Sequence, residues 1–543
     1  MEAPMTDFAH PIDVISRYPP HQGSLCSVLA GRAIAVPERE FMVFQGRSLS
    51  FRETAEQVDR AAAMFEARGV KAGDRVGVMS QNHPSTVITL FALARLGAIM
   101  VPLNPDYRVE EARYVIAHAQ VSGMLCSPST LATVTEACAT VSPRPWYLLN
   151  EPGEQGIQVF GEEVCRVSGE PPPEAGSADV TCIFIYTSGT TGLPKGVMHS
   201  QRNLVLAGEG FVERMYLQPN DRLLCILPMF HANALFYSLL GALAAGAAIV
   251  LVPRFSASEF WKTVAEAGAT EVNTIAAVSS ILMNRPRTEF LAGHSLQKIY
   301  GGPFTAETYK VFQQEFGVPT LIEGYGMSEI PGALNNPFLG PHKVGSMGKP
   351  SRHPDHGLAF ADMRVVDDEG REVSDGETGE LVARTPIVMR GYYRDPEQTS
   401  AAFRDGWFLT GDLGYRDRDG YFWFVARKKD IIRKRGENIS GAELDLVIGS
   451  HPEVLEAAAI PVPAELGEDE ILVAVIVRPG GTVTAEGIAA WCRERLAPIK
   501  VPRYVAFVEA LPKTPTHRVE KYKLRADRSL RESAVDLAAR QER

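Results

Sequence analysis

The sequence predicts an α/β protein: a large N-terminal α/β region of several subdomains, including a small β subdomain, followed by an α+β C-terminal domain. Three observations lead there. Helix-spaced and strand-like segments alternate along the first two thirds of the chain, the pattern of α/β layers around a mostly parallel sheet. From about Met363 the texture changes to "MRVVDDEGREVSDGETGELVARTP", which alternates and turns at D-E-G and D-G. Beyond the charge run "RKKDIIRKRGENIS" (Arg427–Ser440) a compact α+β unit of about one hundred residues follows. The expected division is residues 1–427 and 428–543.

Each element follows from local pattern. "FRETAEQVDRAAAMFEAR" (Phe51–Arg68) has helical spacing, and "DRVGVMS" reads as a strand. "PSTVITLFALARLGA" is a helix ending near Gly97, and "IMVPLN" is the next strand. Ala234–Val252, "ALFYSLLGALAAGAAIVLV", carries no charge and is about as long as a membrane span. Its Gly246 break and β-branched end favour a buried helix followed by a buried strand, so no stable membrane insertion is expected. "LQKIYGGP" and "VPTLIEGYG" are short buried strands. In the C-terminal unit, "AELDLVIGSHPEV" and "AEGIAAWCRERL" read as helices and "ILVAVIVRP" as a strand.

Bulk properties narrow the function classes. The 543 residues carry a net charge of -10, against the basic footprint of a nucleic-acid binder. Hydrophobic residues make up 45% of the chain and mean hydropathy is -0.06, as in ordinary globular proteins. The seven cysteines are scattered without a C-x-x-C pair, so neither a zinc site nor a disulfide framework is indicated. The N-terminus lacks a basic segment followed by an apolar run. A reducing, cytoplasmic location is expected.

The strongest local signal is "IFIYTSGTTGLPKGV" (Ile183–Val197): a hydrophobic strand, a loop of Thr, Ser and Gly, then a lysine. Glycines let backbone N–H groups approach an anion, hydroxyls add donors, and a lysine adds a point charge suited to phosphate. The Walker pattern G-x-x-x-x-G-K-[ST] cannot be fitted here.

This string resembles the signature of the adenylate-forming superfamily, which includes acyl-CoA and aryl-CoA synthetases, peptide-synthetase adenylation domains and beetle luciferases. Further motifs match in order: "LPMFHANAL" (Leu227–Leu235), "EGYGMSE" (Glu323–Glu329), "GWFLTGDLG" (Gly406–Gly414) and "RKKDIIRKRGENISGAELD". The similarity covers essentially the whole chain, and its texture is nearest to carnitine-type and alicyclic carboxylate CoA ligases.

The resemblance implies ATP/AMP, coenzyme A and Mg²⁺, and a small carboxylic acid or acyl-adenylate as substrate. It places Thr187, Ser188, Gly189, Thr190, Thr191 and Lys195 around the β- and γ-phosphates. Tyr325 lies against adenine, Ser328 reaches the α-phosphate, and Glu329 helps to hold Mg²⁺. Asp412 accepts from the ribose hydroxyls, and Arg427 supports ribose and phosphate. Gly302, Gly324 and Gly326 belong to the same nucleotide-binding set. His231 either gates or polarises the carboxylate or is a packed pocket histidine. The acyl pocket draws on Phe230, His231, Ala276–Ser280, Gly301–Phe304 and Ile330–Ala333, whose side chains are mostly small or apolar and fit a bulky or alicyclic acid better than acetate. The resemblance also implies a mobile C-terminal domain that swivels about Lys429 as its hinge, with Gly436 and Glu437 lining the pantetheine tunnel. The run Arg427–Arg435 either attracts the CoA phosphates or is a solvated charged face.

One departure concerns chemistry. Where the family writes P-x-G-K, "KTPTHRVEKYKLR" has His517 for the glycine and Arg518 for the catalytic lysine. A guanidinium is larger and fork-shaped, so the exchange is not conservative at a crowded site. Arg518 does the work, Lys513 or Lys521 substitutes for it, or adenylation is weak. Three functions stay open: a ligase performing both half-reactions; an enzyme that only thioesterifies an acyl-adenylate made by a partner adenylating enzyme; and a catalytically silent nucleotide- or acyl-binding protein.

Overall fold

The computed structural model describes residues 8–153, 156–168, 170–175, 177–187, 193–434, 437–463, 469–513 and 519–538. They form two compact units. The first is built from the chain up to Thr187, Pro194–Met363 and Ala383–Phe408, and the second includes Arg364–Val382 and the chain from Leu409 onward.

The first unit differs from the expectation of one mostly parallel sheet by having two. In one, six parallel strands run in the order Thr320–Met327, Lys298–Gly301, Glu271–Asn273, Arg222–Cys225, Ala248–Leu251 and Glu40–Phe44. Antiparallel strands close both edges: Ile330–Asn335 and Lys349–Pro350 at one end, Arg47–Ser50 at the other. In the second sheet, Thr181–Thr187, Ile99–Pro102, Arg75–Met79, Gly123–Cys126 and Trp146–Leu149 are parallel. Lys195–Ser200 and Gly391–Tyr392 extend it antiparallel. Helices bury the faces, as parallel strands with apolar residues on both sides require.

The predicted helix at Phe51 spans Phe51–Ala67 and starts in a capping box, with Ser50 accepting from the Glu53 N–H and Glu53 accepting from the Ser50 N–H. The uncharged run is a buried helix and strand, as expected. Its first two turns, Asn233–Leu239, are π-helical, a detail that apolar spacing does not encode. Leu240–Ala245 continues as α-helix, Gly246 turns left-handed at φ +67°, and Ala248–Leu251 enters the sheet. Gly246 is required twice over, because a Cβ there would sit 1.8 Å from the Tyr18 hydroxyl. No described helix is long and apolar enough to cross a membrane.

A small sheet of Asp362–Val366, Gly379–Arg384, Phe403–Arg404, Trp407–Arg416 and Phe422–Arg427 realises the β subdomain. The hairpin Ile431–Lys434/Glu437–Ser440 comes next. A four-stranded sheet then follows from Val454–Pro463, Asp469–Val477, Tyr504–Phe507 and Val535–Asp536, with helices Gly441–Gly449 and Ala485–Arg495. Its core is Ile432, Leu444, Ile471, Val473, Val475, Ile488 and Cys492. All seven cysteines are free thiols, and only Cys165 is exposed.

Candidate functional site

In the first unit Lys195 and Glu329, two of the expected site residues, come together through one tyrosine. Strand Lys195–Ser200 pairs with Thr181–Thr187 in the register Thr187↔Lys195, which sets Lys195 directly after the loop. Ser188, Gly189, Thr190 and Thr191 lie outside the described residues. On its other edge the strand pairs with Gly391–Tyr392, so Tyr392 faces Val197. The Lys195 ammonium lies 4.9 Å from the centre of the Tyr392 ring and also bonds the Gln398 side-chain oxygen. The Tyr392 hydroxyl donates to Glu329 Oε1 at 2.9 Å. Burial and the adjacent Glu329 carboxylate push the Tyr392 hydroxyl far up, so it stays protonated and remains a donor.

Glu329 and Ser328 form the turn between Thr320–Met327 and Ile330–Asn335. Two contacts hold that turn. The Met389 N–H donates to the Glu329 carbonyl at 2.8 Å, and the His199 imidazole bonds the Ser328 carbonyl at 2.6 Å. Burial pushes His199 down to about 4, so it is neutral at pH 7 with Nε2 as the donor. Its ring packs edge-on against Phe236.

The glycines of "EGYGMSE" are there for space. A Cβ at Gly324 would fall 2.2 Å from the Tyr300 hydroxyl, and one at Gly326 2.4 Å from the Gly332 nitrogen. Tyr325 between them is half-buried. Glu323, 2% exposed, ties three segments together. It accepts from the Phe304 N–H at 2.7 Å, the Gly345 N–H at 3.2 Å and the Tyr309 hydroxyl at 3.2 Å. Burial raises its carboxyl and these donors pull it part of the way back. The Phe304 bond pins the turn at Gly302, which has φ +113°.

His231 follows a segment clamped by Asn82, whose side-chain oxygen accepts from the Met229 N–H at 2.8 Å and whose amide donates to the Leu227 carbonyl at 3.0 Å. The His231 ring lies 4.3 Å from that of Phe230, and burial holds it down to about 4. Its Nε2 is buried without a hydrogen-bond partner among the described residues. A neutral imidazole can donate to or accept from a substrate atom there, but it carries no charge at pH 7.

In the second unit, Asp412 and Arg427 lie opposite each other on adjacent strands, with Nε to Oδ1 at 3.1 Å. Asp412 is 2% exposed. Thr410 Oγ1 accepts the Asp412 N–H at 3.0 Å, and Glu380 accepts the Gly411 N–H at 3.1 Å and pairs with Lys428 at 3.1 Å. Lys429 belongs to a single 3₁₀ turn, Lys428–Asp430, and its carbonyl accepts from Arg525 at 2.9 Å. Glu437 starts a strand and is exposed, whereas Gly436 lies outside the described residues. The solvated-face reading of the basic run holds for Arg433 and fails for Lys434, which is 7% exposed and paired with Glu470 at 2.8 Å.

Arg518 and His517 lie outside the described residues, between Lys513 and Val519, which form an antiparallel bridge. The neighbouring cations are engaged: Lys513 with Glu456 at 2.5 Å, Lys521 with Asp445 at 2.6 Å, Lys523 with Glu520 at 2.5 Å and Arg525 with Asp430 at 3.3 Å.

For a metal, no group of three or more His, Cys, Asp or Glu converges among the described residues. A lone carboxylate such as Glu329 fits Mg²⁺, which keeps several waters and takes one or two carboxylates plus substrate phosphates. Tyr392, Gln398, His199, Glu323 and Asn82 escaped sequence reasoning. Only Glu323 lay inside a recognised motif, and its role depends on partners in Phe304, Tyr309 and Gly345.

The two-sheet α/β body, small β sheet and α+β unit are the architecture of AMP-binding enzymes, and the relatives of the chain place it among the AMP-forming acid–thiol ligases. The chain belongs to the AMP-binding enzyme family: that family matches residues 30–393, and the AMP-binding enzyme C-terminal domain matches residues 443–518. It is 33% identical to a sulfoacetate–CoA ligase of Cupriavidus necator over 92% of this chain and 97% of the relative. With a crotonobetaine/carnitine–CoA ligase of Proteus mirabilis it shares 31% over 88% and 92%, respectively. Among solved structures, ATP-bound MatB from Rhodopseudomonas palustris superposes with a TM-score of 0.82 at 28% identity, over 92% of this chain and 98% of that one.

Proposed function

We propose that this protein is an acyl-CoA ligase carrying out both half-reactions. A carboxylate attacks the α-phosphate of ATP, releasing pyrophosphate; the CoA thiol then attacks the acyl-adenylate, releasing AMP. Beyond family membership, the contact set Lys195–Tyr392–Glu329 supports the reading, because it links a phosphate-type cation to a carboxylate suited to Mg²⁺. In this proposal Thr187–Lys195 cradle the phosphates, Tyr325 and Ser328 serve adenine and the α-phosphate, and Asp412 with Arg427 takes the ribose. Gly324 and Gly326 serve the nucleotide indirectly, letting Tyr300 and Gly332 pack closely on either side of Tyr325, and Gly302 turns the chain at φ +113°. When bound, Mg²⁺ would neutralise phosphate charge beside Glu329. His231 faces the acid as a neutral group. Residues 428–543 turn about Lys429 between the two steps, after which Gly436 and Glu437 border the thiol's path.

A second reading, thioesterification alone, is favoured by one observation. Lys513, Lys521, Lys523 and Arg525 are all committed to ion pairs, so Arg518 is the remaining cation of that segment for adenylation. ATP–pyrophosphate exchange over a panel of carboxylic acids, run beside thioester formation from synthetic acyl-adenylates and CoA, separates the two. Exchange with thioester formation supports the full ligase. Thioester without exchange supports the second reading, and Arg518→Lys with His517→Gly then raises exchange by about 10²–10³, the usual cost of a misplaced charge donor.

A further inference from the structure

We infer that Tyr392 is a positioning residue that couples the two charged ends of the phosphate side, orienting Glu329 through its hydroxyl and seating Lys195 against its ring face. This rests on the ligase reading and adds to it a residue that none of the phosphate-loop or glycine motifs contains.

Four observations carry it. The hydroxyl reaches Glu329 Oε1 at 2.9 Å, and the ring centre lies 4.9 Å from the Lys195 ammonium, so one side chain touches both groups. The tyrosine is fixed from its own backbone. Gly391–Tyr392 is bonded to Val197 and Met198 of the strand that begins at Lys195, and the Tyr392 N–H donates to Thr399 Oγ1 at 2.9 Å. Thr399 in turn donates to the Asp395 carbonyl at 2.7 Å. The same short segment engages Lys195 a second time. Gln398, on the short α-helix Pro396–Ala401, bonds the ammonium with its side-chain oxygen while its amide donates to Asp395 Oδ2 at 2.7 Å. Finally, the Glu329 turn is tied to the approach to Tyr392 by the Met389 N–H at 2.8 Å. Lysine and carboxylate are therefore both tied to one short piece of chain, Met389–Thr399. A lysine and a carboxylate left to themselves would pair and neutralise one another; a phenol gives the carboxylate a neutral donor while its ring face holds the cation.

The two functions of the side chain are separable. Tyr392→Phe keeps the ring and removes the hydroxyl, whereas Tyr392→Leu removes both. The probe is Mn²⁺ with ATP, read as free Mn²⁺ by electron paramagnetic resonance, with nucleotide affinity measured in parallel by titration of metal-free AMP. Tyr392→Phe should weaken Mn²⁺–ATP binding about 10- to 100-fold, the usual effect of losing a partner that orients a metal-binding group, and leave AMP affinity within about twofold. Tyr392→Leu should bind Mn²⁺–ATP more weakly still, having lost the seat of Lys195 as well. The decisive arm is the double variant with Glu329→Gln. If Tyr392 acts through Glu329, adding Tyr392→Phe to Glu329→Gln changes nothing further; a purely structural tyrosine would make the two effects multiply. Wild-type Mn²⁺–ATP affinity in a folded Tyr392→Phe protein, or multiplicative effects in the double variant, overturns the inference and leaves the ligase reading intact. Failure of the wild-type protein to bind Mn²⁺–ATP or AMP at all overturns both.

Discussion

Removing the carboxylate of Glu323 probes the part of the site that is held by tertiary contacts alone. Three donors converge on it: a buried N–H at Phe304, a half-buried N–H at Gly345 and the buried hydroxyl of Tyr309. Glu323→Leu takes away all three acceptor contacts. The orphaned Phe304 N–H alone costs about 1–3 kcal/mol, and the Tyr309 hydroxyl adds a similar penalty unless it finds another partner. Glu323→Gln keeps one oxygen for Phe304, and the Tyr309 hydroxyl can rotate to accept from the new amide. Only the Gly345 bond and the charge assistance are lost, and relief of carboxylate desolvation offsets part of that, leaving about 1 kcal/mol. The first variant should therefore be destabilised by about 3 kcal/mol and the second by about a third as much. Because Phe304 anchors the Gly302 turn, AMP affinity should follow, falling about tenfold or more in Glu323→Leu. The assays are the urea midpoint, AMP titration, and hydrogen exchange at the Phe304 and Gly345 amides, which should rise more in the leucine variant. Equal stability of the two variants, with unchanged exchange at Phe304, would refute the reasoning.

Gly324→Ala places a Cβ 2.2 Å from the Tyr300 hydroxyl, with Tyr300 itself 4% exposed, so the strand must shift. It should cost about 1–3 kcal/mol of stability and weaken AMP binding by displacing Tyr325, both read in one AMP titration monitored by thermal unfolding. Asp412→Asn removes a charged acceptor and leaves Arg427 without its anion. AMP affinity should drop by about 1.5–3 kcal/mol, roughly tenfold to a hundredfold, by calorimetry; an unchanged value would remove Asp412 from the ribose role. His199 and His231 are both held down to about 4 by burial, against an unfolded value near 6.5. As pH falls from 6.5 towards 4 the unfolded chain takes up protons that the folded protein refuses. Stability is therefore full above pH 6.5 and declines on the acid side by up to about 1.4 kcal/mol per pH unit for each histidine. His199→Gln keeps a donor for the Ser328 carbonyl and should flatten that decline by one proton; the same acid-side slope in the variant would contradict the assignment.

The sequence by itself determined the class and the order of the elements. Apolar spacing marked the helix at Phe51–Ala67 and the buried run after Ala234, because a 3.6-residue period and a glycine stop are local properties. The glycines on either side of Tyr325 stood out in the sequence as well, and the structure shows that they leave room for Tyr300 and Gly332. What only the tertiary structure decided is which distant side chain completes each group. Tyr392 reaches Glu329 across 63 residues and Gln398 reaches Lys195 across 203, through a strand pairing that no local pattern announces. The splitting of the expected sheet into two, and the commitment of Lys513 and Lys521 to carboxylates of other strands and helices, have the same origin. Patterning tells a segment whether it is helix or strand and which face is apolar; its neighbours are selected by sheet order and packing, which are properties of the whole chain.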